Sequence, residues 1–387
     1  MSKPLCVWAA TLAVAAGLAI VAGLVAPSAQ PRQQSRSLIV GIFDEQSTLG
    51  NPTWAFDQYK LLGVEALRVN LYWGGASGVA RKKRPANALN PNDPAYDWSV
   101  YDAMVKQSAD DKIKPVFSIL WTPSWAGPAK NSAPRRLIDL RNFAFAAAKR
   151  YSGNFHPTPD APALPAVRLW VAWNEPNNPV FLKPQFTKIS RHKYRLASPR
   201  IYAGMCNAIM SGVHLTGLAG EKVACGVTAP RGNNTGTQPR ASVSPLIFLR
   251  GLQQAHARFD VYAHHPYYQH PNESPRKPPP GPRAITLGNI NELLRELTRL
   301  YGNKHLWITE YGYQTNPPDR NFGVSWAKQA SYLSQAYGIA RANPRIDMMI
   351  WFLMKDEARI GNGWQSGLYT ATGRRKPSWQ AFRRMPK

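Results

Sequence analysis

Eight short apolar runs recur along this chain, and each is followed by a stretch with helical spacing. The runs lie at 38–43, 66–72, 113–121, 167–175, 223–229, 259–267, 305–312 and 347–354. The helical stretches that follow them lie at 52–62, 98–111, 136–151, 201–217, 245–257, 289–302, 326–342 and 376–384. Strands that alternate with helices pair in parallel, because a crossover helix returns the chain to the same end of the sheet. The runs are apolar almost throughout, as strands covered on both faces are. Roughly 44 residues per unit suits a closed (β/α)8 barrel with long loops. An open, doubly wound sheet is the structural alternative, but no GxGxxG or GxxxxGK[ST] follows any run, so a nucleotide site has no support. The expectation is one α/β domain, a (β/α)8 TIM barrel over residues 31–387.

Ahead of the first run, Lys3 is the last charge before Arg32, and residues 5–26 read LCVWAATLAVAAGLAIVAGLVA. That pattern fits a secretory signal peptide or an uncleaved membrane anchor, so residues 1–30 are read as a leader and the protein as secreted or held at the cell envelope. Cys6 lies in the leader, which leaves Cys206 and Cys225. A disulfide between them and two buried thiols are both open. No CxxC or Cys/His cluster occurs, which argues against a structural zinc.

A (β/α)8 barrel presents chemistry at the C-terminal ends of its strands. Run four continues as WVAWNEPNN (170–178) and run seven as WITEYG (307–312), so Glu175 and Glu310 fall at two strand ends across the mouth. A lone strand-end Glu is usually a solvated rim residue, since carboxylates are costly to bury. Two of them at complementary positions, among aromatics and histidines, point instead to paired acid–base work. Pro176 predicts an extended Glu175 and a strand that ends at the carboxylate. Period-two alternation predicts Glu310 on the face of Leu306 and Ile308. It also allows only one of His264 and His265 to face the interior. Arg68, in run two, is placed to hold Glu310 ionised; an ordinary strand-end ion pair is the plainer alternative. Trp351, Trp121 and Trp125 are candidate stacking platforms for a ligand, with Trp351 preferred. Asp356 and Glu357 are weaker candidates for binding hydroxyls.

Asn174-Glu175-Pro176 and Thr309-Glu310-Tyr311-Gly312 resemble the acid/base and nucleophile motifs of the retaining glycoside hydrolases of the (β/α)8 clan. WTPSWA after run three, HHPYY after run six and the closing GRRKPSWQAF are similar to glycoside hydrolase family 39 and related cellulase-like barrels. The resemblance covers about residues 38–387. It implies double displacement, with Glu175 as acid/base and Glu310 as nucleophile. It further implies that Asn174 bonds the sugar 2-hydroxyl, that Tyr267 donates to the nucleophile, and that His265 rather than His264 serves the site. No metal or organic cofactor is implied.

The formal net charge is +26. The loops at 73–98, 177–199, 231–245 and 266–286 hold 14 Lys and Arg against 3 Asp and Glu, so charge is enriched on the presumed substrate face. An anionic polysaccharide is one expectation; a basic proteome or adhesion to an anionic envelope is the blander one. Nucleic acid is not expected, because no helix-turn-helix, RNP-like or zinc-finger pattern is present. The protein is read as a monomeric glycosidase, with a transglycosylase or a non-catalytic carbohydrate-binding barrel as alternatives.

Overall fold

The computed structural model describes residues 38–361 and 363–387. The expected leader at 1–30 lies outside them. Among the described residues, no helix is long and apolar enough to cross a membrane.

Eight parallel strands close into a barrel: β1 (Ile39–Phe43), β2 (Ala66–Tyr72), β3 (Lys114–Leu120), β4 (Leu169–Ala172), β5 (Lys222–Thr228), β6 (Val261–His264), β7 (Leu306–Tyr311) and β8 (Ile346–Phe352). Helices follow each: α1 (Pro52–Leu62), α2 (Ser99–Asp110), α3 (Leu137–Arg150), α4 (Ser198–His214), α5 (Pro245–Gln254), α6 (Ile290–Tyr301), α7 (Trp326–Arg341) and α8 (Pro377–Arg383). Neighbours pair in chain order, and β8 closes on β1 with Ile39 beside Met348 and Phe43 beside Phe352. The fold is a (β/α)8 TIM barrel. The sequence reading did not anticipate a short helix, Glu45–Gly50, or an antiparallel hairpin of Phe186–Lys188 with Tyr194–Leu196 between β4 and α4.

Strand alternation divides the apolar residues into two cores. Ala66, Val116, Val171, Val261, Trp307, Met348 and Ile350 fill the barrel interior. Leu67, Phe117, Trp170, Ile308, Met349 and Trp351 pack outward with the helices. Gly41 on β1 makes room for this packing: a Cβ there would meet Ile350 Cδ1 at 2.3 Å and the Ala66 carbonyl oxygen at 2.6 Å. α1 begins with Pro52 at its first position and ends at Gly63, whose φ of 64° closes the helix at a left-handed residue. Cys206 of α4 and Cys225 of β5 are joined by a disulfide, which resolves the alternatives that the sequence left open.

The loop after β8 is anchored by a buried ion pair. Lys376 Nζ lies 2.7 Å from Asp356 Oδ2 and also donates to Thr315 Oγ1 (2.8 Å) and the Gln365 carbonyl (3.0 Å). Burial opposes the charged form of both, raising the Asp356 pKa and lowering that of Lys376. The geometry offsets that cost only while both partners are present. Asp356→Ala is expected to destabilise the fold by about 3–5 kcal/mol, because it strands a buried ammonium. Urea unfolding checks this; a shift below ~1 kcal/mol would show the pair to be dispensable.

Candidate active site

The barrel interior changes character along its axis. Above the apolar layers, β2 turns Arg68 and Asn70 inward, β3 contributes Ser118, and the ends of β4, β6 and β7 contribute Asn174, Glu175, His265, Thr309 and Glu310. Arg68 is the centre of this layer and is fully buried. Its Nε donates to Ser118 Oγ (2.9 Å), Nη1 to Glu310 Oε1 (2.6 Å) and the Thr309 carbonyl (3.0 Å), and Nη2 to Asn174 Oδ1 (2.7 Å). Its guanidinium also lies 4.5 Å from the centre of the Phe43 ring. A planar five-donor group can serve four acceptors in fixed directions; a lysine cannot. Arg68→Lys is therefore expected to cost at least ~10²-fold in kcat with a smaller change in KM, because the Glu310 carboxylate loses its orientation. Equal kcat values for the two proteins would remove Arg68 from the site.

Arg68 also sets the orientation of its neighbours. It has no acceptor, so Asn174 must turn Oδ1 toward it, which leaves the Asn174 amide nitrogen to donate into the cleft. Arg68 Nη1 lies 3.3 Å from His265 Nε2, and a cation at that distance favours the tautomer in which this nitrogen is bare. His265 Nε2 is 2.9 Å from Thr309 Oγ1, whose hydroxyl donates to it. The proton of His265 therefore sits on Nδ1 and is donated to Glu175 Oε1 at 3.1 Å. Burial, reinforced by Arg68 and opposed by Glu310, lowers the His265 pKa to about 3, so the ring is neutral.

The two carboxylates have different surroundings. Glu310 receives Arg68 on one oxygen and the Tyr267 hydroxyl on the other (3.1 Å). Glu175 receives only neutral donors, His265 and Asn178 Nδ2 (2.9 Å). Burial raises the Glu175 pKa, with Asn178, Arg68 and Arg231 opposing the shift. One oxygen of each carboxylate and one nitrogen of His265 lie within 4.8 Å of one another. That spacing alone is compatible with a cation, but the Arg68 guanidinium already supplies the positive charge at Glu310.

Three expectations about these elements are corrected. First, β4 stops at Ala172 rather than at the carboxylate, and Glu175 is not extended: φ is 72° at Trp173 and 35° at Glu175. The chain leaves the sheet early through left-handed residues, a conformation that costs of order 1–3 kcal/mol each. Second, Glu310 does not share a face with Leu306 and Ile308, which pack outward. On β7, Ile308 pairs with Met349 and Tyr311 with Trp351, so three steps oppose two. This bulge turns Glu310 inward. Third, Trp351 offers no sugar-binding face. It lies on the outward side of β8, fully buried against Tyr311, with its Nε1 donating to the Ser366 carbonyl.

Phe352, the next residue, points inward and meets Phe43 (5.3 Å) and Trp364 (5.5 Å). Trp364, 37% exposed and 5.3 Å from Tyr267, is the aromatic on the Glu310 side. Its loop is held by Glu357, which accepts from the Trp364 backbone nitrogen (2.7 Å). Glu357 and the ion-paired Asp356 are thus committed to loop structure. On the other side Trp121 is half-buried, stacked on Phe181 at 5.7 Å and 12°. Trp125 is tied to the Ala80 carbonyl by its Nε1 (2.7 Å). His264 is buried on the outward face, with Thr228 Oγ1 and the Ile285 carbonyl on its two nitrogens. Sequence reasoning named Thr309 only as part of a motif and missed Asn178, Trp364 and Ser118. Only Ser118 left a signal, as a lone hydroxyl within an apolar run.

No family model matches this sequence, and no curated protein is similar to it. Solved structures are similar in fold. One is a family 39 glycoside hydrolase from the gut symbiont Bacteroides cellulosilyticus WH2, at TM-score 0.62 and 18% identity over 90% of this chain and 63% of that one. A glucosidase from Croceicoccus marinus matches at TM-score 0.63 and 15% identity, over 92% and 68%. The family 39 enzyme of Xanthomonas axonopodis pv. citri matches at TM-score 0.57 and 16% identity, over 90% and 66%. The chain spans about two thirds of the length of these structures, and at such identities the likeness is one of fold.

Proposed function

We propose that this chain is a retaining glycosidase, with Glu310 as nucleophile and Glu175 as acid/base. One observation carries the reading: two carboxylates whose nearest oxygens lie within 4.8 Å, one bonded by a guanidinium and the other only by neutral donors. Retaining enzymes keep their carboxyls about 5–5.5 Å apart, whereas inverting ones need about 6.5–9.5 Å to admit a water. The fold's likeness to glycoside hydrolases supports the same reading.

In this mechanism a Glu310 oxygen attacks the anomeric carbon while protonated Glu175 gives its proton to the departing glycosidic oxygen. The carbon–oxygen bond to the leaving group breaks as the bond to Glu310 forms. Glu175, now ionised, takes a proton from water, which attacks the same carbon and releases Glu310. The Asn174 amide nitrogen donates to the 2-hydroxyl, a bond that strengthens in the transition state. His265 keeps Glu175 oriented without competing for its proton, since the ring stays neutral.

The substrate in this proposal is a polysaccharide outside the cell or in its envelope, reached by export through residues 1–30. The long β–α loops favour an extended cleft and internal cleavage. In a second reading, a sugar acceptor replaces water and the enzyme transglycosylates. Proton NMR of the first products formed from a panel of polysaccharides by the full-length protein tests both. The released reducing end should keep the anomeric configuration of the bond that was cut; inversion would sink the double displacement. Products longer than the substrate would mark transglycosylation.

A further inference from the structure

The loops after β5 and β6 border an open cavity of about 560 Å³, lined by neither Glu175 nor Glu310. Its position relative to Glu175 is fixed by hydrogen bonds. Asn177, two residues past Glu175 and fully buried, accepts from the Ala229 amide (2.8 Å) and donates to the carbonyls of Ala229 (3.1 Å) and Val243 (2.8 Å). Its own carbonyl accepts from the Val243 amide at 3.0 Å. The loop carrying the acid/base is thereby stapled to the loop carrying Arg231. Arg231 is pinned in turn: its backbone bridges to Ala284, and the Ile285 amide donates to the Pro230 carbonyl at 2.8 Å.

The cavity wall includes Arg231, Arg283, Asn233, Ser242 and Gln269, and no acidic residue. Arg283 Nη1 donates to the Asn233 carbonyl at 3.3 Å. Asn233 and Ser242 bond each other's backbone and shape the loop. The Arg231 side chain differs: it is exposed, and among the described residues it makes no ion pair or hydrogen bond. Its charge nevertheless acts on Glu175. An exposed guanidinium on a pinned backbone, without an internal partner, is available to a carboxylate or a similar anion.

We propose that this cavity is a leaving-group subsite in which Arg231 binds the acidic substituent, carboxylate or sulfate ester, of a charged sugar. The assignment to the leaving-group side rests on the acid/base role proposed for Glu175, because the departing sugar lies against the proton donor. The hairpin basic residues Lys188, Arg191, Lys193 and Arg195 are exposed and would attract the same polymer over a longer range.

Calorimetric binding tests the subsite without requiring turnover. The probes are hexuronic-acid oligomers, the same oligomers reduced at the carboxyl to neutral hexoses, and sulfated neutral oligomers, each at 0.15 and 0.5 M salt. The wild type is expected to bind at least one acidic series about 10-fold or more tighter than the neutral one, and the preferred series identifies the group. Arg231→Gln should erase that preference while leaving affinity for the neutral oligomers unchanged. Replacing the four hairpin residues with Gln should reduce mainly the salt-dependent part. Equal affinity for acidic and neutral oligomers, no binding of any of them, or a preference that survives Arg231→Gln would overturn the subsite. Loss of hydrolysis in Glu310→Gln tests the catalytic reading separately, because the nucleophile is needed whatever group Arg231 binds.

Discussion

Glu310→Gln should lower kcat by at least ~10⁴-fold, the largest effect expected of any single change in this protein. The amide has the shape of the carboxylate and can still accept from Arg68, but it cannot attack the anomeric carbon. Arg68 keeps its bonds to Ser118, Thr309 and Asn174, so the site geometry should survive. Circular dichroism and binding of the oligosaccharide product would verify that the variant is folded. A slow, activated substrate offers a second readout. Acid-quenched wild type should carry one glycosyl unit on the peptide containing Glu310, and the variant none. A variant that retains a tenth of the activity, or a label on another peptide, would transfer the nucleophile role elsewhere.

Glu175→Gln should lower kcat by about 10²–10⁴-fold on natural linkages, the range of general acid catalysis. The loss should shrink sharply for leaving groups acidic enough to depart without a proton. The pH profile supplies the more specific test. Burial raises the Glu175 pKa, so the protonated form persists above the ordinary carboxylate range. Activity of the wild type should then fall as pH rises through that raised value, whereas the Gln variant, with nothing to ionise there, should lose this alkaline limb. Stability follows the same sign. A group whose folded pKa is raised contributes its stability in full below the unfolded value and loses it as pH rises through the folded value. Glu175→Gln should therefore melt no lower than the wild type at pH 8. A variant with the wild-type alkaline limb would show that another group supplies the proton.

The helix order, the strand order and the two carboxylates were legible because they depend on local information. Apolar runs of strand length, separated by amphipathic stretches, leave few ways to cover both faces of a sheet. The ends of those runs then mark the mouth. Trp351 and Phe352 show where this reasoning stops. They are adjacent, both aromatic and both at the end of β8, and only the register against β1 decides that Phe352 faces the cleft. Glu310 shows the same limit from the other side: strict alternation places it on the wrong face, and a bulge against β8, a property of the pair of strands, turns it inward. Trp364 and Asn178 were invisible because each reaches the site from a loop whose path is set by distant anchors, Glu357 for one and the left-handed turn at Trp173 and Glu175 for the other.

The sequence by itself determined the eightfold alternation, the closing of an apolar sheet and the presence of one Glu at each of two strand ends. These follow from spacing and hydrophobicity, which act over a few residues. Tertiary structure alone decided which oxygen of each Glu meets which donor. Arg68 from β2 reaches residues 106 and 242 positions away in the chain, and the electrostatic difference between the two carboxylates arises from that convergence. Charge interactions depend on distance and burial in three dimensions, and neither is written in the spacing of residues along the chain.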